Sequence, residues 1–166
     1  MTITFDKILT TNKEFQEVDR TNPSNVAALF VHLMCNYDNT NQEKFYDILQ
    51  YLVGEYQQIS ALMKQNIKDR MSQNAKYPYI GKSYFKGAIP DNDYTPSIPY
   101  EVEVTENDYS NIEAGYKRLF LKSGGADSLR PITLRLAKDG NYYVWSDSFM
   151  GLLADIRNPE SKNPWA

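Results

Sequence analysis

The chain has 166 residues, a length that suits one domain with a substantial core. Hydrophobic residues make up 42%, charged residues 23%, and the net charge is −3, which is ordinary for a folded soluble protein and too small to draw the whole molecule to nucleic acid or membrane. One cysteine, Cys35, and one histidine, His32, exclude an internal disulfide and a four-ligand Cys/His zinc site.

The first residues, Met1 to Lys7, have neither a basic stretch nor an apolar one, so no secretory signal is expected. The longest apolar run, Val26 to Cys35, is too short to span a membrane. The expectation is a soluble cytoplasmic protein. Thr2 to Phe5 alternates weakly and suits a short strand. Asn22-Pro23 reads as a helix cap followed by proline at the first helical position. The helix it opens, Pro23 to Asn36, is apolar nearly all round, as a central buried helix is. Thr40 and Glu43 have capping-box spacing, Phe45, Ile48, Leu49 and Leu52 follow at helical intervals, and Gly54 ends that helix. A third helix is predicted from about Gln58 to Gln73. Residues 74–99 lose the periodicity and hold four of the prolines; a loop of that length is functional or packed by its own side chains.

Strands are predicted over Tyr100–Glu106, Tyr116–Lys122, Arg130–Ala137 and Asn141–Ser146. Asp139-Gly140 supplies the turn of the last hairpin, and Phe149–Ile156 reads as a short helix. The predicted fold class is α+β: an N-terminal three-helix layer on a four-stranded antiparallel β-meander, with a short C-terminal helix. It forms a single domain over 1–166, with a helical part at about 20–73, a loop at 74–99, a sheet at 100–147 and the terminal helix at 148–157. Strand parity turns Val102, Val104, Leu119, Leu121, Ile132, Leu134 and Leu136 toward the helices.

Three features have chemical content. The loop Ser123-Gly124-Gly125-Ala126-Asp127-Ser128 could form an anion-binding nest, but it lacks the lysine and the helix of a phosphate loop, and the plainer reading is a strand connection. Arg118, Arg130, Arg135 and Arg157 fall on or near strands whose second face also carries aromatic residues. Guanidinium groups there can hold a carboxylate, a phosphate or a stacked base, or the terminal helix can cover that face. Residues 60–86 are basic with interleaved aromatics, a pattern found in single-strand nucleic-acid binders, and residues 87–115 are acidic and could fold back on them. His32 lies in the most apolar helix and reads as a hydrogen-bonded core residue. Nothing in the sequence selects a catalytic carboxylate pair.

Several segments resemble an uncharacterised family of bacterial proteins, mainly from Gram-positive gut bacteria, known as a domain of unknown function. They are Lys82–Pro90, Asp93–Tyr100, Leu119–Pro131, Tyr143-Val-Trp145 and Gly151–Pro159. The resemblance implies a bacterial origin and one domain through Pro159, and it brings no catalytic residues. The functional expectation is a non-catalytic ligand-binding or protein-interaction domain. Its candidate ligand-binding residues are Ser123, Gly124, Gly125, Asp127, Arg130 and Arg135, and its ligand is small and anionic or polar. No cofactor, metal or membrane partner is expected. The alternatives are a hydrolase or transferase with a carboxylate-based site, and nucleic-acid binding through residues 60–86.

Overall fold

A computed structural model describes residues 1–72 and 75–165. The elements in chain order are β1 (Thr2–Phe5), α1 (Asn12–Gln16), α2 (Pro23–Met34), α3 (Glu43–Val53), α4 (Ala61–Ser72), α5 (Tyr77–Ile80), β2 (Tyr100–Thr105), β3 (Tyr116–Leu121), β4 (Arg130–Leu136) and β5 (Tyr142–Val144). Short 3-10 turns lie at Lys82–Tyr84, Pro90–Asn92, Met150–Leu153 and Glu160–Lys162. The fold class is α+β. The sheet is antiparallel in the order β1-β2-β3-β4-β5, so it has five strands rather than the predicted four. The added edge is β1, which pairs with β2 in the register Ile3–Val102.

Helix α2 organises the core. The Asn22 side chain accepts from the Ser24 amide at 2.9 Å, and Pro23 occupies the first turn, as the sequence indicated. Every residue from Val26 to Met34 is buried. The helix packs between α3 and the sheet, touching β2, β4 and β5. Each buried Leu, Val or Phe side chain there contributes roughly 1.5–3 kcal/mol of apolar transfer. Val102, Val104, Leu119, Leu121, Ile132 and Leu134 all turn into this core, as parity requires. Leu136 does not and is 43% exposed, because β3 begins at Tyr116, opposite Arg135, and Leu136 lies one residue beyond that pairing.

Other differences have local causes. Helix α1, absent from the expected set, is opened by a capping box. The Glu14 amide donates to Thr11 Oγ1 at 3.2 Å, and Thr11 N–H donates to the Glu14 carboxylate at 3.0 Å. The box expected at Thr40 and Glu43 does not form. Asp38 takes both the amide and the hydroxyl of Thr40, and α3 starts at Glu43 behind Gln42. The predicted end of the third helix at Gln73, and Asn74 after it, lie outside the described residues. Residues 75–99 contain α5 and two 3-10 turns, and they insert Tyr84, Phe85, Ala88 and Tyr94 into the core. In the last hairpin Gly140 alone takes positive φ, at +86°, so Lys138-Asp139-Gly140 makes a three-residue loop. The terminal helix shrinks to Met150–Leu153, and the chain then runs extended. Among the described residues, no helix is long and apolar enough to cross a membrane.

His32 sits in this core as a neutral ring. Its Nδ1 accepts from the Leu9 amide at 3.0 Å, and Phe5 and Phe85 lie 4.1 and 5.1 Å from it, centroid to centroid. Burial depresses its pKa from 6.5 to about 3. The unfolded ring binds a proton below 6.5 and the folded ring resists until about 3. Stability is therefore complete above 6.5 and falls by about 1.4 kcal/mol per pH unit beneath it. His32→Gln keeps an acceptor and cannot titrate. Urea unfolding should show that, on going from about pH 7 to about pH 5, wild type loses about 2 kcal/mol more than this variant. Equal losses would acquit His32 as the acid-labile group.

Candidate functional site

The Ser-Gly-Gly loop is built into the protein by its own donors. The buried Ser123 hydroxyl donates to Ser83 Oγ at 2.7 Å and accepts from the Gly125 amide at 3.1 Å. The Gly124 amide donates to Ser83 O at 2.7 Å, and the Ala126 amide to Ser123 O at 3.3 Å. The amides that an anion nest would offer are engaged inside the protein. Both glycines are required by close approach. A Cβ on Gly124 would lie 2.0 Å from Ala88 O, and one on Gly125 would lie 2.3 Å from Tyr94 Oη.

Arg130 belongs to a second assembly. It lies on the core side of β4, and its guanidinium donates to Ala154 O at 2.9 Å and to Asp155 O at 2.5 Å. Tyr84 donates to Leu152 O at 2.5 Å, Lys76 to Ile156 O at 2.6 Å, and Tyr94 to Arg157 O at 2.6 Å. The extended segment after the last 3-10 turn is thus held by its carbonyls. Burial pushes the Tyr84 hydroxyl up to about 12, which keeps it a donor. Asp127 does not reach Arg130. It pairs with Arg157 at 3.0 Å, and its side chain is 94% exposed.

Arg135 is separate from both. It projects from the outer face of β4, with its guanidinium 4.5 Å from the centre of the Trp145 ring and 5.1 Å from that of Tyr116. No described residue offers it a hydrogen bond or a carboxylate. The covering helix considered above is not there: Phe149 turns to the core side and lies 4.8 Å from the Phe30 ring. Arg135 borders a cleft of about 480 Å³ with Val53, Tyr56, Lys138, Tyr143 and Trp145. A second cleft of about 540 Å³ lies across the β4–β5 hairpin and shares Tyr56, Ala137, Lys138 and Tyr143 with the first. Its floor is Arg20, held between Tyr51 at 4.2 Å and Tyr143 at 4.9 Å. The hairpin wall is rigid, because Tyr143 donates to Asp139 at 2.6 Å and Gly54 lets the Tyr143 ring pack directly on the backbone.

This arrangement suits recognition. Free cations and flat rings line open clefts, and among the described residues no cluster of three His, Cys, Asp or Glu could hold a metal. Of the six candidate residues, Ser123, Gly124 and Gly125 come together with Ser83, Asp127 and Arg130 diverge, and Arg135 stands at the cleft. Arg20, Tyr51 and Tyr56 escaped the sequence reading, since only tertiary folding brings them to the hairpin. The basic segment does not gather into an aromatic strip. Tyr84 and Phe85 are buried, Lys76 is engaged with Asp155 and Ile156 O, and Lys86 pairs with Glu101.

Arg130→Lys should lower the melting temperature by roughly 4–8 °C, because one ammonium cannot span two successive carbonyls. Asp127→Asn should leave it within about 2 °C, because its ion pair is exposed. Differential scanning calorimetry on the two variants is the check, and equal shifts would remove Arg130 from the clamp.

A family model described as a domain of unknown function (DUF6935) matches residues 7–160. No curated protein and no solved structure matches the chain. With nearly its whole length inside that match, the chain belongs to the DUF6935 family.

Proposed function

We propose that this is a non-catalytic binding domain whose ligand is anionic and occupies the cleft at Arg135. One observation carries the reading: a guanidinium held over the Trp145 and Tyr116 rings at the border of a cleft, with no acceptor among the described residues. Rings on two sides restrict the guanidinium, so its donor fork is partly oriented for a carboxylate or phosphate. The cleft falls within the roughly 300–1,000 Å³ usual for ligand pockets. Lys138, which lines it with no ion-pair partner among the described residues, adds a second positive charge. In this reading Ser123, Gly124, Gly125 and Arg130 serve the ligand indirectly, by holding the sheet and the C-terminal segment together.

The test is isothermal titration calorimetry with inorganic phosphate, benzoate, glucuronate and an acidic hexapeptide. At least one should bind, and Arg135→Gln should weaken that binding by at least about tenfold while melting stays unchanged. An absence of heat with every anion, or full affinity in Arg135→Gln, would overturn the proposal.

A further inference from the structure

The clefts on either side of the β4–β5 hairpin differ in charge, and that difference restricts what can cross both. The Arg135 side holds Arg135 and Lys138 and no carboxylate. Lys138 also lines the Arg20 side, where three carboxylates, Asp47, Glu55 and Asp139, outnumber it and the ring-held Arg20. Asp47 and Glu55 are exposed, with neither an ion-pair nor a hydrogen-bond partner among the described residues. Tyr56 stands where the two clefts meet and is 85% exposed. Its ring offers a flat surface that the protein leaves uncovered.

Resting on the anion-binding reading of Arg135, we infer that the ligand is an acidic oligosaccharide in which a charged unit adjoins a neutral one. The acid unit lies in the Arg135 cleft, with its carboxylate on the guanidinium fork. The neutral unit crosses Tyr56 into the other cleft, where Asp47 and Glu55 accept its hydroxyl hydrogens and repel a second acid. Pyranose rings present a C–H face that packs on tyrosine and tryptophan, and their hydroxyls reach outward to carboxylates. The usual peptide mode at a sheet edge is closed here. The Tyr142 amide donates to Arg20 O at 2.8 Å, Gln57 donates to Val144 O at 2.8 Å, and the Ser146 amide donates back to Gln57 at 2.8 Å. The Tyr142 amide and the Val144 carbonyl on the outer edge of β5 are therefore taken, so a peptide strand has no continuous ladder to join.

Calorimetry on the intact chain would use four probes: a hyaluronan tetrasaccharide (alternating acid and neutral units), tetragalacturonate (all acid), cellotetraose (all neutral) and free glucuronate. The hyaluronan tetrasaccharide should bind about tenfold or more tightly than each of the others. Arg135→Gln should erase its advantage over cellotetraose. The double variant Asp47→Asn, Glu55→Gln should bring tetragalacturonate to within a few-fold of it. If glucuronate or benzoate binds through Arg135 and the tetrasaccharide gains nothing, the oligosaccharide is refuted and the anion site stands. An acidic hexapeptide that binds tighter than the tetrasaccharide refutes it as well. If no anion binds at all, the oligosaccharide and the anion site fall together.

Discussion

An extended segment that crosses a protein's interior has to find partners for its backbone carbonyls, and this fold depends on how that requirement is met. From Leu152, in the last 3-10 turn, to Arg157 the chain joins no α-helix and no strand, so it has no ladder of its own. Its carbonyls are taken by Tyr84, Arg130, Lys76 and Tyr94, which come from the 75–99 segment and from β4. An unpaired buried carbonyl costs about as much as a lost hydrogen bond, so the side chains are needed together. The Ser123–Asp127 loop completes the assembly, since the Arg157 amide donates to Gly125 O at 3.0 Å. Three stretches of chain, Lys82–Pro90, Asp93–Tyr100 and Leu119–Pro131, meet the C-terminal segment through hydrogen bonds to its backbone.

Legibility in the sequence followed how local each signal was. Asn22-Pro23 and Gly54 act within one turn, and both operate as expected. The alternation of β3 and β4 is governed by burial on one face, and it sorted the core from the surface correctly up to Leu136. Thr40–Glu43 misled because Asp38 competes for the same threonine two residues away. Thr11–Glu14 carries the identical signature, but α1 is only five residues long and has one buried residue, Phe15, so no apolar periodicity accompanies it. Phe149, Leu152, Leu153 and Ile156 have helical spacing, which predicts a longer terminal helix than forms. All four are buried, yet one short 3-10 turn with its cap buries the first three, and the extended chain beyond it buries Ile156.

The candidate site was less legible. Arg135 was visible as an arginine on the second face of a strand. Its partners come from Tyr116, Trp145 and the α3 terminus, which no sequence window joins. Arg130 and Asp127 lie three residues apart, a spacing that suggests one cluster. In the fold they serve different tasks: Arg130 points inward to the clamp, and Asp127 meets Arg157 at the surface. Sequence proximity overstated that coupling and gave no hint of the coupling between Arg20 and Tyr143.

The two guanidiniums at the hairpin show how similar stacking can serve different ends. Arg20 lies between Tyr51 and Tyr143, and its Nη1 is buried without a partner, so the rings enclose it. Its backbone carbonyl closes the edge of β5, and its charge helps hold Asp139 below the usual carboxylate range, behind the Tyr143 hydrogen bond. Arg20 is thereby committed to the wall. Arg135 has the same aromatic support but stays exposed, and no described carboxylate neutralises it. A buried cation without a partner is costly, whereas an exposed stacked one keeps most of its hydration and can exchange that water for an anion. The fold thus spends one arginine on shaping the hairpin and leaves the other presented beside it.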